Sequence, residues 1–210
     1  MIVIAVVNLK GGSTKTTTSA FLAHALHESG LRTLGVDADG ENESLLSWQE
    51  TAEWSLPVVG MPVANLHRQL PGVVGDRYDA VVIDTPPVKE RRGIVLSAVR
   101  LATHVLFPMA PTGMEYQRLP AVRELVNEAV ELRDGDRPVT AVLLTRTVPG
   151  AASTGTYRDL VREDGYQVLA ATVGRLERFA QAYGQPISNA LNSAYGDACT
   201  ELLSIEGVPA

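Results

Sequence analysis

The sequence predicts an α/β fold, a mostly parallel twisted sheet with helices on both faces. Three observations predict it. Short, near-continuous apolar runs such as Ile2–Val7 and Ala80–Ile83 have the composition of strands buried on both sides. Helix-patterned segments separate these runs in regular alternation, as crossovers between parallel strands require. No internal repeat or low-complexity stretch interrupts the series, and the one loose connector, Pro149–Gly155, is too short to separate domains. Residues 1–210 are therefore expected to form a single domain, for which 45% hydrophobic content supplies one sizeable core.

Taken in order, Ile2–Asn8 reads as a strand and Thr16–Ser29 as a helix stopped by Gly30. Thr33–Asp37 is a second short strand, and Ser44–Glu53 a helix carrying Leu45, Leu46 and Trp48. Val58–Met61 reads as a third strand, and Val63–Leu70 as a helix ending before Pro71 and Gly72. Ala80–Asp84 is a buried strand, followed by a helix at Gly93–Ala102 and a strand at Val105–Met109. A long helix is expected over Glu115–Leu132 and a strand over Val139–Thr145. Beyond the connector come a helix at Tyr157–Glu163, a strand at Val168–Val173 and a helix at Leu176–Tyr183. A last helix is expected over Ile187–Ile205.

Charge and cysteine content exclude several function classes. The formal net charge of −6 argues against nucleic-acid binding by bulk charge, leaving only a local patch for it. A single cysteine, Cys199, rules out an internal disulfide framework and suits a reducing cytoplasm. The chain enters its first strand at once, with no signal-peptide pattern, and no apolar run approaches a membrane span. A cytoplasmic protein is expected, associated with the nucleoid if it binds DNA. His24 and His27 lie one turn apart without a third ligand, so no metal site is expected there. Cys199 is expected to pack the last helix, whose polar residues Asp197, Glu201 and Glu206 are wrong for anionic lipid.

The chemistry begins at Lys10-Gly11-Gly12-Ser13-Thr14-Lys15-Thr16-Thr17, directly after the first strand. Adjacent glycines let backbone N–H groups turn inward, and the following helix aims its positive end at the same point. Lys15 can reach β- and γ-phosphates, and the Thr16 hydroxyl is placed to ligate magnesium. Only three of the 18 basic residues are lysines, and two of them lie in this loop. These positions favour a compact ammonium over a planar guanidinium.

The general nucleotide loop has glycines where this chain has Leu9 and Thr14, so that pattern fails. What fits is Lys-Gly-Gly-x-Gly-Lys-Thr-Thr, matched everywhere except Thr14. This resembles the deviant phosphate loop of ParA/MinD-type partition ATPases, in which the first lysine is the signature. If position 14 needs positive φ, threonine is costly; if it is helical, its methyl and hydroxyl only narrow the pocket.

In a parallel sheet the chemistry gathers at the carboxyl ends of strands. Asp84, ending Val81–Ile83, has the position and chemistry of a carboxylate that orients the waters of a magnesium ion. Asp37 and Asp39 leave the second strand, where the family has Asp-x-Asp-Pro-Gln and this chain has Gly40-Glu41 in place of Pro-Gln. The resemblance gives Asp39 the task of activating the attacking water, and places Asp37 at the nucleotide. It likewise places Thr145, Arg146, Gln185, Pro186 and Ile187 around the adenine. Asp84-Thr85-Pro86-Pro87, Pro108-Met109-Ala110-Pro111-Thr112 and Gly184-Gln185-Pro186-Ile187 occur in the family's order, so the resemblance spans essentially the whole chain.

The resemblance is to short ParA-like proteins, and with the first strand starting at Ile2 no operator-reading segment is expected before it. It implies that two chains close face to face around two ATP molecules with Mg2+, each sending Lys10 across to the partner's phosphates. The resulting homodimer would bind DNA nonspecifically, and a ParB-like centromere-binding protein would stimulate hydrolysis and so partition a plasmid or chromosome. Candidate DNA contacts are Lys89, Arg91 and Arg92, the pair Arg158 and Arg162, and the pair Arg175 and Arg178. Interleaved Asp159, Glu163, Asp164 and Glu177 equally suit a salt-bridged solvent face. The alternative is the same switch positioning a protein cargo or regulating an assembly, without DNA segregation. A ligase or synthetase on the same scaffold needs a second polar cluster, which the sequence lacks, and leaves Lys10 unexplained. A nucleotide-binding module that never hydrolyses is the remaining reading, because of Thr14.

Overall fold

A computed structural model describes residues 1–42, 44–133 and 135–206. The strands are β1 Ile2–Val6, β2 Thr33–Asp37, β3 Val58–Gly60, β4 Ala80–Asp84, β5 His104–Met109, β6 Val139–Thr147 and β7 Val168–Gly174. They form one seven-stranded sheet in the order β3-β2-β4-β1-β5-β6-β7. Every pairing is parallel, as the alternation of apolar runs and helices predicts.

Helices cover both faces. They are α1 Lys15–Glu28, α2 Ser44–Thr51, α3 Leu66–Val74, α4 Val88–Leu101, α5 Gly113–Tyr116, α6 Leu119–Glu131, α7 Ala152–Glu163, α8 Glu177–Ala180 and α9 Ala194–Ser204. Alternate residues of the central strands feed two separate cores. Val3, Ala5, Val81 and Ile83 join the side chains of α3, α4 and α6, while Ile4, Val6, Ala80 and Val82 join those of α1, α2 and α9. No helix among the described residues is long and apolar enough to cross a membrane.

Several boundaries differ from the sequence expectation. The third helix runs through Pro71 to Val74, because Leu66, Leu70 and Val74 are buried on one face. That packing outweighs the backbone bond the proline forgoes. Residues 115–132 form not one helix but two, with Pro120 sitting in the first turn of α6. The fourth helix starts at Val88 rather than Gly93, and is broken at Arg91 (φ −138°, ψ 52°). Helix α7 begins at Ala152, inside the stretch expected to be a connector.

The last helix occupies only Ala194–Ser204, capped by the Ser193 hydroxyl, which accepts a bond from Tyr195 N. Before it the chain turns irregularly, and Leu191 N donates to the Glu28 carboxylate at 2.8 Å. Gly196 makes that entry feasible, since a Cβ there would lie 1.9 Å from the Leu191 carbonyl oxygen. Cys199 is buried in α9 as expected. His24 is buried too, with Nδ1 2.9 Å from Ala20 O and its ring edge-on to Trp54.

Candidate nucleotide site

Register assembles the site. Val6 of β1 lies beside Asp84 of β4, and Asp84 lies beside Asp37 of β2, so three neighbouring strands end level. The sheet also changes direction at β1, whose two neighbours are β4 and β5. That crevice at the carboxyl ends is where such sheets take ligands. The Lys10–Thr17 loop leaves β1 at this point and opens directly into α1.

Within the loop, Ser13 Oγ donates to Lys10 O at 3.0 Å, and Lys15 Nζ donates to the same carbonyl at 3.3 Å. Gly12 takes φ +71°, and neither Gly11 nor Gly12 has a neighbour within 4 Å of its would-be Cβ. The loop is thus a rim of backbone around open space. Thr14 settles the alternative left by the sequence: it is left-handed, at φ 66° and ψ 13°. A β-branched residue is a rare occupant of that region. Its hydroxyl donates to Ser13 O at 2.6 Å and reaches Thr145 Oγ1 at 3.3 Å.

Lys15 is buried, and loss of hydration pulls its pKa down, against the upward pull of Asp84, Asp39, Glu90 and Glu115. Among the described residues it is in no ion pair. A desolvated ammonium held this way is ready for an anion. Asp84 is buried beside it. Its Oδ2 accepts from Thr16 Oγ1 at 2.7 Å and its Oδ1 from Ser19 Oγ at 3.1 Å. Burial raises its pKa to about 7, although both hydroxyls and Lys15 act to lower it. Hydroxyl and carboxylate oxygens this close are a suitable hard donor set for magnesium, and the loop fits the phosphates that would share it. Thr17 faces the cleft described below, and Lys10 is exposed.

The acids from β2 are placed differently. Asp37 is buried and accepts backbone N–H bonds from Asp39 at 3.0 Å, Leu45 at 2.8 Å and Leu46 at 3.0 Å. Burial pushes its pKa up, and those three donors restrain it. In this geometry Asp37 anchors the first turn of α2. Asp39 is held by its own loop, accepting from Glu41 N at 3.3 Å and Asn42 Nδ2 at 2.9 Å.

A cleft of about 470 Å³ adjoins the loop, floored by Gly12–Thr17. Thr145 and Arg146 line it as expected. Arg146, itself at φ 54°, donates through Nη2 to Gly12 O at 2.7 Å. Gln185, Pro186 and Ile187 do not line this cleft. They face a neighbouring one beside Phe21 and Arg178, where Gln185 O accepts from Trp48 Nε1 at 2.8 Å. The far wall is instead Val173, Gly174, Arg175 and Leu176, backed by Phe179 and Tyr195. Those two aromatics pack edge-to-face at 5.1 Å, and Tyr195 stacks on Phe21. The sequence reading missed this wall. The end of β7 was the available signal, since it falls one strand beyond β6 at the same carboxyl edge.

The family model described as the CobQ/CobB/MinD/ParA nucleotide binding domain matches residues 4–187. The chain belongs to that family. It is a ParA/MinD-type ATPase that uses ATP and magnesium. Among relatives, "Maintenance of carboxysome distribution protein A" from Halothiobacillus neapolitanus is 28% identical over 192 residues, covering 88% of this chain and 85% of its own. The apo McdA structure from Cyanothece superposes with a TM-score of 0.77 at 18% identity, over 97% of this chain and 100% of that one. A plasmid partition protein from Borrelia burgdorferi superposes with a TM-score of 0.66 at 16% identity, over 96% and 97%. The two structural matches bear on the fold alone.

Proposed function

We propose that residues 1–210 act as one cytoplasmic domain, an ATP-switched dimerising ATPase that positions a large protein assembly. The sequence alone puts DNA partition first and a protein cargo second; the relatives reverse that order. The observation that carries the change is the match, across most of both chains, to a protein named for maintaining carboxysome distribution. Three of the arginines offered as DNA contacts, each engaged within the chain, also support it. Arg91 pairs with Glu41 and Arg92 with Glu128, while the Arg158 guanidinium donates to Leu169 O at 2.6 Å and Ala170 O at 3.1 Å. The two ion pairs lower the charge left over for phosphates.

ATP with magnesium supplies the phosphoryl group and the countercharge for its transfer. The chain's own residues do the rest. Lys15 and the N–H groups of the loop hold the phosphates, and Thr16 with Asp84 holds the metal. Exposed Lys10 extends to the nucleotide of a second copy, so that the site is complete only in the dimer. Asp39 places the attacking water once its carboxylate leaves Asn42, which keeps the unpaired chain idle. A partner protein carried by the cargo stimulates that step, and release of the dimer follows.

DNA segregation remains the second reading, favoured by the fold shared with a plasmid partition protein. Deleting the gene in its host separates the two. The cargo reading predicts stable inheritance of every replicon together with clumped or unevenly shared protein assemblies. Replicon loss with assemblies evenly spread would instead favour segregation.

A further inference from the structure

A cavity larger than the nucleotide cleft is present among the described residues. It lies at the opposite end of the sheet, where β6 and β7 begin, and measures about 620 Å³. Helix α7 creates it by packing loosely: Val161 is its only fully buried residue. Between α6 and the turn after α7, Phe107, Val126, Val139 and Val168 line the cavity as an apolar floor.

The walls have the reverse charge of the chain as a whole. Three guanidinium groups, Arg123, Arg137 and Arg162, face the cavity against one carboxylate, Glu206, in a protein of net charge −6. Two of them are held in place by neutral partners. Arg123 lies over the Tyr166 ring at 4.5 Å and donates to Asp164 O at 3.0 Å, and Arg137 donates to Asn127 Oδ1 at 2.6 Å. None of the three is ion-paired among the described residues. The Tyr166 hydroxyl beside them is buried without a partner. Arginine forks oriented over an apolar floor are suited to bidentate capture of phosphate or carboxylate oxygens. The volume falls within the roughly 300–1,000 Å³ of small-molecule sites.

We infer that this cavity is a second ligand site, separate from the nucleotide loop, for a small organic polyanion bearing phosphate or carboxylate groups. Arg123 and Arg162 grip the charged groups from two sides, Arg137 closes the third, and the floor takes an apolar stem.

The test is calorimetric titration of inorganic pyrophosphate and, separately, citrate into Lys15→Ala protein, whose phosphate loop no longer competes. Saturable one-site binding of at least one probe is expected, weakened tenfold or more by adding Arg123→Gln and Arg162→Gln. Restoring charge with Arg123→Lys and Arg162→Lys should recover some of it. Preference between the probes distinguishes a phosphate ligand from a carboxylate one. Should the double variant fold poorly, Arg162→Gln alone, on an exposed helix face, should still weaken binding at least threefold. No saturable binding of either probe, or equal binding with and without the arginines, would overturn the inference.

Discussion

Thr16 Oγ1 donates to Asp84 Oδ2 at 2.7 Å, joining the first turn of α1 to the end of β4 across 68 residues of sequence. Two oxygens brought together in this way would hold a magnesium ion, the hydroxyl as a ligand and the carboxylate through the ion's waters. Replacing Asp84 with Asn keeps the shape and removes the charge. ATP hydrolysis should fall by roughly 10- to 100-fold or more. The magnesium dependence of nucleotide binding should flatten, as followed with a fluorescent ATP analogue.

Thr14 stores backbone strain in the phosphate loop. An L-residue in the left-handed region costs about 1–2 kcal/mol, some of which glycine recovers. Thr14→Gly relieves that strain but gives up the hydroxyl's bonds, so its unfolding temperature should exceed that of Thr14→Ala, by an amount corresponding to roughly 1 kcal/mol. Thr14→Ala keeps the strained backbone and loses the bonds to Ser13 and Thr145, so its unfolding temperature should fall below that of the wild type. Thermal unfolding of the three proteins side by side checks both signs.

Arg146 clasps the loop from the other side through the Gly12 carbonyl. A net hydrogen bond from a charged donor contributes about 1.5–3 kcal/mol. At this exposed position the lower end applies, so Arg146→Ala should weaken ATP binding by roughly 10-fold. Arg146→Gly, which suits the positive φ, should recover none of that loss if the guanidinium is what matters. Equilibrium titration with labelled nucleotide reads both.

The Arg32–Asp79 pair gives the fold an acid-sensitive tie. Asp79 accepts from Arg32 Nε at 2.9 Å, Nη2 at 2.7 Å and backbone N at 3.0 Å, fixing the approach to β2 against the start of β4. Those bonds hold its carboxyl down at about 2, below the ordinary 3.8. A depressed folded-state value means stability that is fully present above about pH 4 and lost as pH falls toward 2. Asp79→Asn should lower the unfolding temperature slightly at pH 7, by an amount that shrinks as pH falls through 2.

Cys199 is expected to be inert in the folded chain. Burial pushes its thiol up to about 12, so almost no thiolate forms near neutrality. A thiol reagent should label it at the rate of unfolding, and denaturant should accelerate labelling in step with the unfolding signal.

What was legible in the sequence follows from where one local signal decides the structure. The runs Ile2–Val7 and Val81–Ile83 are apolar on both faces, so neither needed tertiary context to read as central strands. The glycines and lysines of the loop read directly because their spacing carries the mechanism. Pro71 misled, because the burial of Leu66, Leu70 and Val74 that overrides it is a tertiary fact. The far wall of the cleft was hidden for a similar reason. Arg175 and Leu176 face the loop only because β7 pairs with β6, a pairing that no short-range pattern states. Asp37 reads as a strand-end acid from its run alone, but two of its three backbone donors belong to α2, and their approach is a product of folding.

The central claim is that ATP closes two chains around exposed Lys10. Analytical ultracentrifugation with and without Mg-ATP, comparing wild type with Lys10→Ala, tests it most directly. The account predicts a monomer that becomes a dimer only with Mg-ATP, and a variant in which that transition is lost or strongly weakened. A wild-type chain that binds ATP yet stays monomeric, or a variant that dimerises equally well, would contradict it.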